Sequence, residues 1–108
     1  RAELELFLNA VPSDVLVVLD EAYFEYVSDP EYPNGLALME RYSNLIVTRT
    51  FSKAYGLAGC RVGFLASNRK LSKRLYNLRP MYEINSIAAI TRIMQFLLAP
   101  TQRSRLVN

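Results

Sequence analysis

The sequence has 108 residues, a length that fits about one small globular domain. Hydrophobic residues make up 51% and charged residues 21%, with a net charge of +3, and this composition excludes a disordered chain. A single cysteine, Cys60, and the lack of histidine exclude an intrachain disulfide, a zinc site of the usual ligands and a histidine-dependent nucleophilic triad. No apolar run is long enough for a membrane span and no signal peptide opens the sequence, so a cytoplasmic location is expected.

Strands and helices are predicted to alternate along the chain. A weak amphipathic helix over residues 2–9 is followed by five apolar residues, 15–19, which predict a strand buried on both faces, as in a parallel sheet covered by helices. Two prolines and several acidic residues predict a loop over 23–35. The remaining predicted elements are a short helix at 36–42, a strand at 45–48, a loop rich in Gly, Ser and Thr at 49–60, a strand at 62–66, and helices at 71–78 and 86–98. This alternation indicates an α/β sheet domain.

Positive charge is concentrated in residues 69–79. Leu71, Leu75 and Leu78 recur there at helical spacing, which favours the solvated face of an amphipathic helix. A nucleic-acid-binding surface is the alternative, and it leaves open a non-catalytic nucleic-acid-binding domain as a rival function. The nearly neutral remainder of the chain and the lack of a nucleic-acid-binding motif argue against that rival.

Polar residues follow two of the predicted strands. Asp20 ends the first strand, and Thr48–Ser52 lie at the end of the second. In open α/β sheets, ligands bind beyond the carboxyl ends of the strands. These residues are therefore candidates for a ligand site on topology alone.

The loop after the second strand combines hydroxyl groups, a lysine and an arginine. The hydroxyls of Thr50 and Ser52 and the guanidinium of Arg61 are the kinds of groups that hold a phosphate. A desolvated Lys53 would be a nucleophile toward an aldehyde. On spacing alone, however, ordinary roles are favoured: a solvated lysine, turn hydroxyls and a surface arginine.

Two motifs resemble those of a known enzyme family. Residues 52–63, SKAYGLAGCRVG, resemble the cofactor-lysine segment of fold-type I pyridoxal-phosphate (PLP) enzymes, in particular histidinol-phosphate aminotransferases. Residues 17–23, VVLDEAY, resemble the strand of that family that ends in Asp-Glu-Ala-Tyr. The resemblance is clear over 16–66 and weaker through residue 98.

The resemblance implies a role for each matching residue. Lys53 would bind PLP through a Schiff base and, once displaced by substrate, would act as the acid and base that moves a proton. Asp20 would pair with the protonated pyridine nitrogen, and Tyr23 would hydrogen-bond the phenolic oxygen of the cofactor. The phosphate of the cofactor would be bound by Thr50, Ser52 and Arg61.

The resemblance also implies a fold and an activity for the intact enzyme. The chain would be the central part of the large PLP-binding domain, a three-layer, aspartate-aminotransferase-like unit with mostly parallel strands flanked by helices. The enzyme would be a homodimer that transfers an amino group between an amino acid or amine and a 2-oxo acid. The N-terminal part, the C-terminal small domain and half of the site would lie outside residues 1–108, so the fragment is expected to be inactive alone.

One segment departs from the family pattern and leaves the substrate open. Residues 79–86 include Tyr82-Glu83, where histidinol-phosphate enzymes usually carry a loop of different composition. A PLP-dependent decarboxylase of the threonine-phosphate type is therefore an alternative, because the same Asp, Lys and Arg would serve it.

Overall fold

The computed structural model describes residues 1–78 together with Asn85, Ser86 and Ala89. The predicted helix over 86–98 and the loop over 79–86 fall outside the described residues, apart from these last three positions. The elements in chain order are helix α1 (Ala2–Ala10), strand β1 (Val17–Asp20), helix α2 (Gly35–Leu38), strand β2 (Leu45–Thr50), strand β3 (Gly63–Ser67) and helix α3 (Arg69–Tyr76). Single 3-10 turns occur at Phe24–Tyr26 and Ala58–Cys60.

The three strands form one sheet in the order β1-β2-β3. Strands β1 and β2 are parallel, with α2 in the crossover between them, as the alternating pattern predicts. Strand β3 is antiparallel to β2. The segment 51–62 contains a 3-10 turn but no crossover helix, so the chain returns beside β2 in the opposite direction. The predicted α/β class is confirmed, and the described part of the sheet is mixed.

The main hydrophobic cluster lies on one face of the sheet. Leu45 and Val47 of β2 are fully buried, and Leu8 of α1 and Leu38 of α2 pack against them. Burial of these four side chains removes apolar surface from water, which is the main favourable term in folding. Both helices therefore pack against the same face of β2.

The prediction that β1 is buried on both faces is wrong for this structure. Leu19 packs partly against the core, whereas Val18 is 61% exposed, so burial alternates along the strand. Successive side chains of a strand point to opposite faces. Helices α1 and α2 cover only the face of Leu19, and among the described residues no equivalent layer covers Val18.

Asparagine caps fix where two helices begin. The Oδ1 atom of Asn34 accepts a hydrogen bond from the N–H of Leu36, and that of Asn68 accepts one from Leu71, at 3.1 and 3.0 Å. Such caps satisfy N–H groups that have no partner within the helix. Helix α3 consequently begins two residues before the predicted start at Leu71. It is amphipathic as expected, with Leu71 and Leu75 partly buried and its basic residues exposed. The predicted end at Leu78 is wrong, because the helix ends at Tyr76 and Leu78 is 80% exposed.

An exposed ion-pair cluster joins α1 to the segment after α2. Glu5 accepts hydrogen bonds from Arg1 Nε and Arg41 Nη1, both at 2.9 Å. The hydrogen bond from Arg1, followed by that from Arg41, holds the pKa of Glu5 below its usual value. The cluster therefore contributes stability above the ordinary pKa of glutamate, and this contribution is lost as the pH falls through the lower, folded-state value. Because the groups are exposed, the contribution is small.

Gly35 sits where α2 meets the sheet so closely that a side chain has no room. A Cβ atom there would lie 2.7 Å from Leu19 Cδ2, 2.8 Å from Glu21 Oε1 and 2.9 Å from Val47 Cγ2. We expect Gly35→Ala to lower the free energy of unfolding by about 1–3 kcal/mol through overpacking. Gly59→Ala is the matched control, because nothing lies within 4 Å of its Cβ position. Denaturant unfolding of both variants measures the difference, and equal stabilities would contradict the prediction.

None of the helices in the described part of the chain has the length and apolar character needed to cross a bilayer.

Candidate active site

The carboxyl ends of β1 and β2 present different side chains on the two faces of the sheet. Asp20 pairs in register with Thr48, and both side chains lie on the face away from the core. Glu21 follows Asp20 and Arg49 follows Thr48, and the side chains of both are buried on the core face. Two layers of side chains therefore meet at the carboxyl ends of β1 and β2, an open polar layer and a buried charged layer.

Two hydrogen bonds hold the side chain of Asp20. Its Oδ1 atom accepts hydrogen bonds from the N–H of Ala22, at 3.1 Å, and from the hydroxyl of Thr48, at 3.3 Å. The first bond is an aspartate turn, which orients the side chain on its own backbone. The carboxylate is exposed. It is thus an oriented anion at the carboxyl end of a strand, where a cationic group of a ligand can approach.

Lys53 and Tyr23 come together although they belong to different motifs. The Nζ atom of Lys53 lies 5.1 Å from the centroid of the Tyr23 ring, within the range of a cation–π contact. Both side chains are exposed. The lysine that follows β2 is therefore placed beside the residue that follows β1.

A tight turn presents Lys53. The N–H of Gly56 donates to the carbonyl of Lys53 at 2.9 Å, and the N–H of Leu57 donates to Phe51 at 3.0 Å. Gly56 has φ of +66°, a left-handed conformation that favours glycine. The Phe51 ring packs 5.2 Å from that of Tyr55, and burial, with a further contribution from the nearby Glu25 carboxylate, raises the pKa of Tyr55.

The predicted phosphate-binding residues are only partly assembled. The Thr50 hydroxyl oxygen accepts a hydrogen bond from the N–H of Ser52 at 3.1 Å and donates to the carbonyl of Val62 at 3.4 Å. Arg61 has a left-handed φ of 51°, and its Nη1 atom donates to Ala58 of its own turn at 3.0 Å. The structure thus joins Thr50 to Ser52, whereas the contact of Arg61 among the described residues is local.

A buried ion pair beside the candidate site was missed in the sequence. Arg49 donates from Nε and Nη2 to Glu21 Oε2, at 2.9 and 2.7 Å, and these side chains are 4% and 2% exposed. The signal was the alternation along β2: if Leu45 and Val47 face the core, Arg49 does too. A buried arginine needs a paired carboxylate. Glu21 is that partner.

The fold and this site indicate a class of protein: an α/β sheet domain with a candidate ligand site at the carboxyl ends of β1 and β2. The chain belongs to the family described as aminotransferase class I and II, which matches residues 1–107. The family inferred from the two motifs is therefore confirmed. This membership favours an enzyme over the nucleic-acid-binding domain that residues 69–79 left open.

Similar curated proteins include aminotransferases of two substrate types. The chain is 53% identical over 108 residues to histidinol-phosphate aminotransferase 1 of Nitrosococcus oceani, covering 98% of the chain and 29% of that protein. It is 52% identical over 88 residues to the aromatic amino acid aminotransferase of Streptomyces avermitilis, covering 82% and 24%. The chain thus spans less than a third of the length of these relatives.

Two solved structures share the fold. One is histidinol-phosphate aminotransferase from Sinorhizobium meliloti in complex with pyridoxal-5'-phosphate, with a TM-score of 0.71 and 36% identity over 81% of the chain and 23% of that structure. The other is L-threonine-O-3-phosphate decarboxylase from Porphyromonas gingivalis, with a TM-score of 0.76 and 27% identity over 94% and 30%. The expected fold-type I architecture is confirmed by both.

Proposed function

We propose that the chain is the central part of the large PLP-binding domain of an aminotransferase, with the N-terminal part and the small domain outside residues 1–108. The observation that carries the proposal is the meeting of both motifs at one sheet edge. Asp20 lies beside Thr48 at 3.3 Å, and Lys53 lies over Tyr23. The family and the PLP-containing relative of known structure support it.

The donor set fits PLP in its chemistry. The exposed Asp20 carboxylate suits a protonated ring nitrogen, and the Tyr23 hydroxyl suits a phenolic oxygen. An amine at Lys53 suits an aldehyde carbon. The cofactor phosphate would be held by Thr50, Ser52 and Arg61, whose hydroxyls and guanidinium are hydrogen-bond donors for it.

Each of these residues has a defined task in amino-group transfer. When bound, PLP supplies the electron sink that makes loss of the substrate Cα proton feasible. Asp20 keeps the proton on the pyridine nitrogen by pairing its negative charge with it. Tyr23 orients the ring through the phenolic oxygen. Lys53 holds the cofactor. As a free amine, it would move the proton between the substrate Cα and the cofactor carbon.

The substrate proposed is histidinol phosphate with a 2-oxo acid as amino acceptor, which places the enzyme in histidine biosynthesis. Relatives with that name support it, including the one that is 53% identical. An aromatic amino acid is the related donor, given the relative from Streptomyces avermitilis. We further propose a cytoplasmic homodimer, which rests on the resemblance of the two motifs to this family.

Decarboxylation of a phosphorylated amino acid is the second candidate. It is favoured by the TM-score of 0.76 with the threonine-phosphate decarboxylase. The two reactions are separated by assaying the full-length protein in parallel. Amino transfer from histidinol phosphate to 2-oxoglutarate supports the first, and release of carbon dioxide from threonine phosphate without amino transfer supports the second.

Covalent trapping tests the cofactor role of Lys53. Full-length protein incubated with PLP and reduced with borohydride is expected to carry the cofactor on the peptide containing Lys53. Within residues 1–108 the other lysines are Lys70 and Lys73, and peptide mapping distinguishes both from Lys53. A label on any lysine other than Lys53, or no label, would overturn the assignment.

A further inference from the structure

The buried pair of Glu21 and Arg49 is more than a single contact. Besides accepting both arginine hydrogen bonds on Oε2, Glu21 accepts the N–H of Gly35 on Oε1 at 2.6 Å. Arg49 donates further to Asn34 Oδ1 at 3.1 Å, and its guanidinium carbon lies 3.8 Å from the centroid of the Phe24 ring. The pair therefore connects the ends of β1 and β2 with the start of α2.

Stability alone does not account for such a pair. Removing both charges from water is costly, and well-packed apolar residues often replace a buried ion pair without loss of stability. What an ion pair adds is direction: two donors of one planar guanidinium reach one carboxylate oxygen only in a narrow range of orientations. Glu21 and Arg49 thus restrict how the two strand ends lie relative to one another.

Both members of the pair are adjacent in sequence to candidate site residues on the opposite face. Glu21 directly follows Asp20, and Arg49 lies between Thr48 and Thr50. The N–H of Glu21 also donates to the carbonyl of Thr48 at 2.9 Å, so the same positions join the backbones. Because neighbouring side chains of a strand point to opposite faces, a rotation that breaks the buried pair also turns Asp20 and Thr48.

We propose that Glu21 and Arg49 form a positioning pair for the cofactor site. This inference rests on the proposed PLP-binding function. The pair sets the separation and direction between the Asp20 carboxylate on β1 and the loop that carries Lys53 after β2. Neither member touches the cofactor. Their effect is transmitted through the strand ends, and it orients the charge that faces the pyridine nitrogen.

The test compares variants of the full-length protein that remove the pair in different ways. Arg49→Met leaves Glu21 without its partner, and the double variant Glu21→Met/Arg49→Met removes both charges while filling the volume. Arg49→Lys keeps the charge and loses the planar fork. Arg41→Met is the matched control, because Arg41 makes a similar contact of 2.9 Å to Glu5 but its side chain is 54% exposed.

Three quantities are measured for each variant: the dissociation constant of PLP, the pH midpoint of the absorbance band of bound PLP, and the unfolding temperature of the cofactor-free protein. In the double variant we expect PLP binding about 10–100-fold weaker and a shifted pH midpoint, with an unfolding temperature close to that of the natural protein. Arg49→Lys should recover part of both cofactor readouts. Arg41→Met should change neither.

The outcomes separate the inference from the function on which it rests. If the folded double variant binds PLP with the natural dissociation constant and pH midpoint, the pair is purely structural and the inference fails. Should the double variant not fold, Arg49→Lys decides the question. At an unchanged unfolding temperature, weaker PLP binding and a shifted pH midpoint support the inference, and natural values of both contradict it. If the natural protein itself binds no PLP, the proposed function fails first, and the variants are not needed to show it.

Discussion

Replacing Lys53 by alanine in the full-length enzyme is expected to lower turnover by about 10⁴-fold or more and to abolish borohydride trapping of PLP. The reason is that, in the proposed function, one amine both holds the cofactor and moves the proton. Folding should be unaffected, because Lys53 is exposed and its contact with the Tyr23 ring is a weak one at 5.1 Å. Steady-state kinetics and thermal unfolding of the same preparation measure the two effects separately.

Lys73→Ala is the matched control for this prediction, since Lys73 is an exposed lysine of α3 outside the candidate site. It should retain natural turnover and natural trapping. Turnover of Lys53→Ala within a factor of ten of the natural enzyme would show that another group moves the proton. A comparable loss in Lys73→Ala would show that the effect of the Lys53 substitution is not specific to the site.

The second large effect is expected from Asp20→Ala, which should reduce turnover by about 100-fold or more, as for other groups that stabilise charge in a transition state. In the proposed function, the pyridine nitrogen would lose its proton without the carboxylate, and the ring would withdraw electrons less strongly. The free energy of unfolding should change by no more than about 1 kcal/mol, because Asp20 is exposed and does not pack in the core. Kinetics at saturating PLP measure the effect on turnover rather than on binding.

Asp29→Ala provides the comparison, because the chain uses Asp29 in the same local geometry. Its Oδ1 atom accepts the N–H of Glu31, two residues on, at 2.8 Å, as Asp20 accepts that of Ala22. Both variants therefore lose an aspartate turn, and only Asp20→Ala also removes a carboxylate from the candidate site. Near-natural turnover of Asp20→Ala would refute its role at the ring nitrogen, and equal losses in both variants would show that the effect is not specific to the candidate site.

The order of the elements was predictable from the sequence because it depends on local patterns. Apolar runs at β1 and β2, separated by loop residues and a short helix, are enough to indicate two parallel strands. The direction of β3 was not predictable in this way, since it depends on the path of residues 51–62. The exposure of Val18 was also beyond reach, because it depends on which faces the packed helices cover.

The two layers of the candidate site differed in how visible they were. Asp20 and Lys53 could be found because the first ends a predicted strand, the second lies in the loop after one, and both belong to recognisable motifs. The buried pair of Glu21 and Arg49 joins positions 28 apart, and finding it requires the register of β1 on β2. The conformation of Arg61 depends on a 3-10 turn and a left-handed φ, which spacing does not reveal.

The long-range pairing of Glu21 with Arg49 has a consequence for how the protein is made. An ionised glutamate cannot be buried without its partner, so β1 cannot settle into its final surroundings until the end of β2 has arrived. Contacts between distant positions form slowly because the intervening loop must close first. Lys53 lies only four residues after Arg49. Closure of the chain between Glu21 and Arg49 therefore also brings Lys53 close to the end of β1, where its amine lies over the Tyr23 ring.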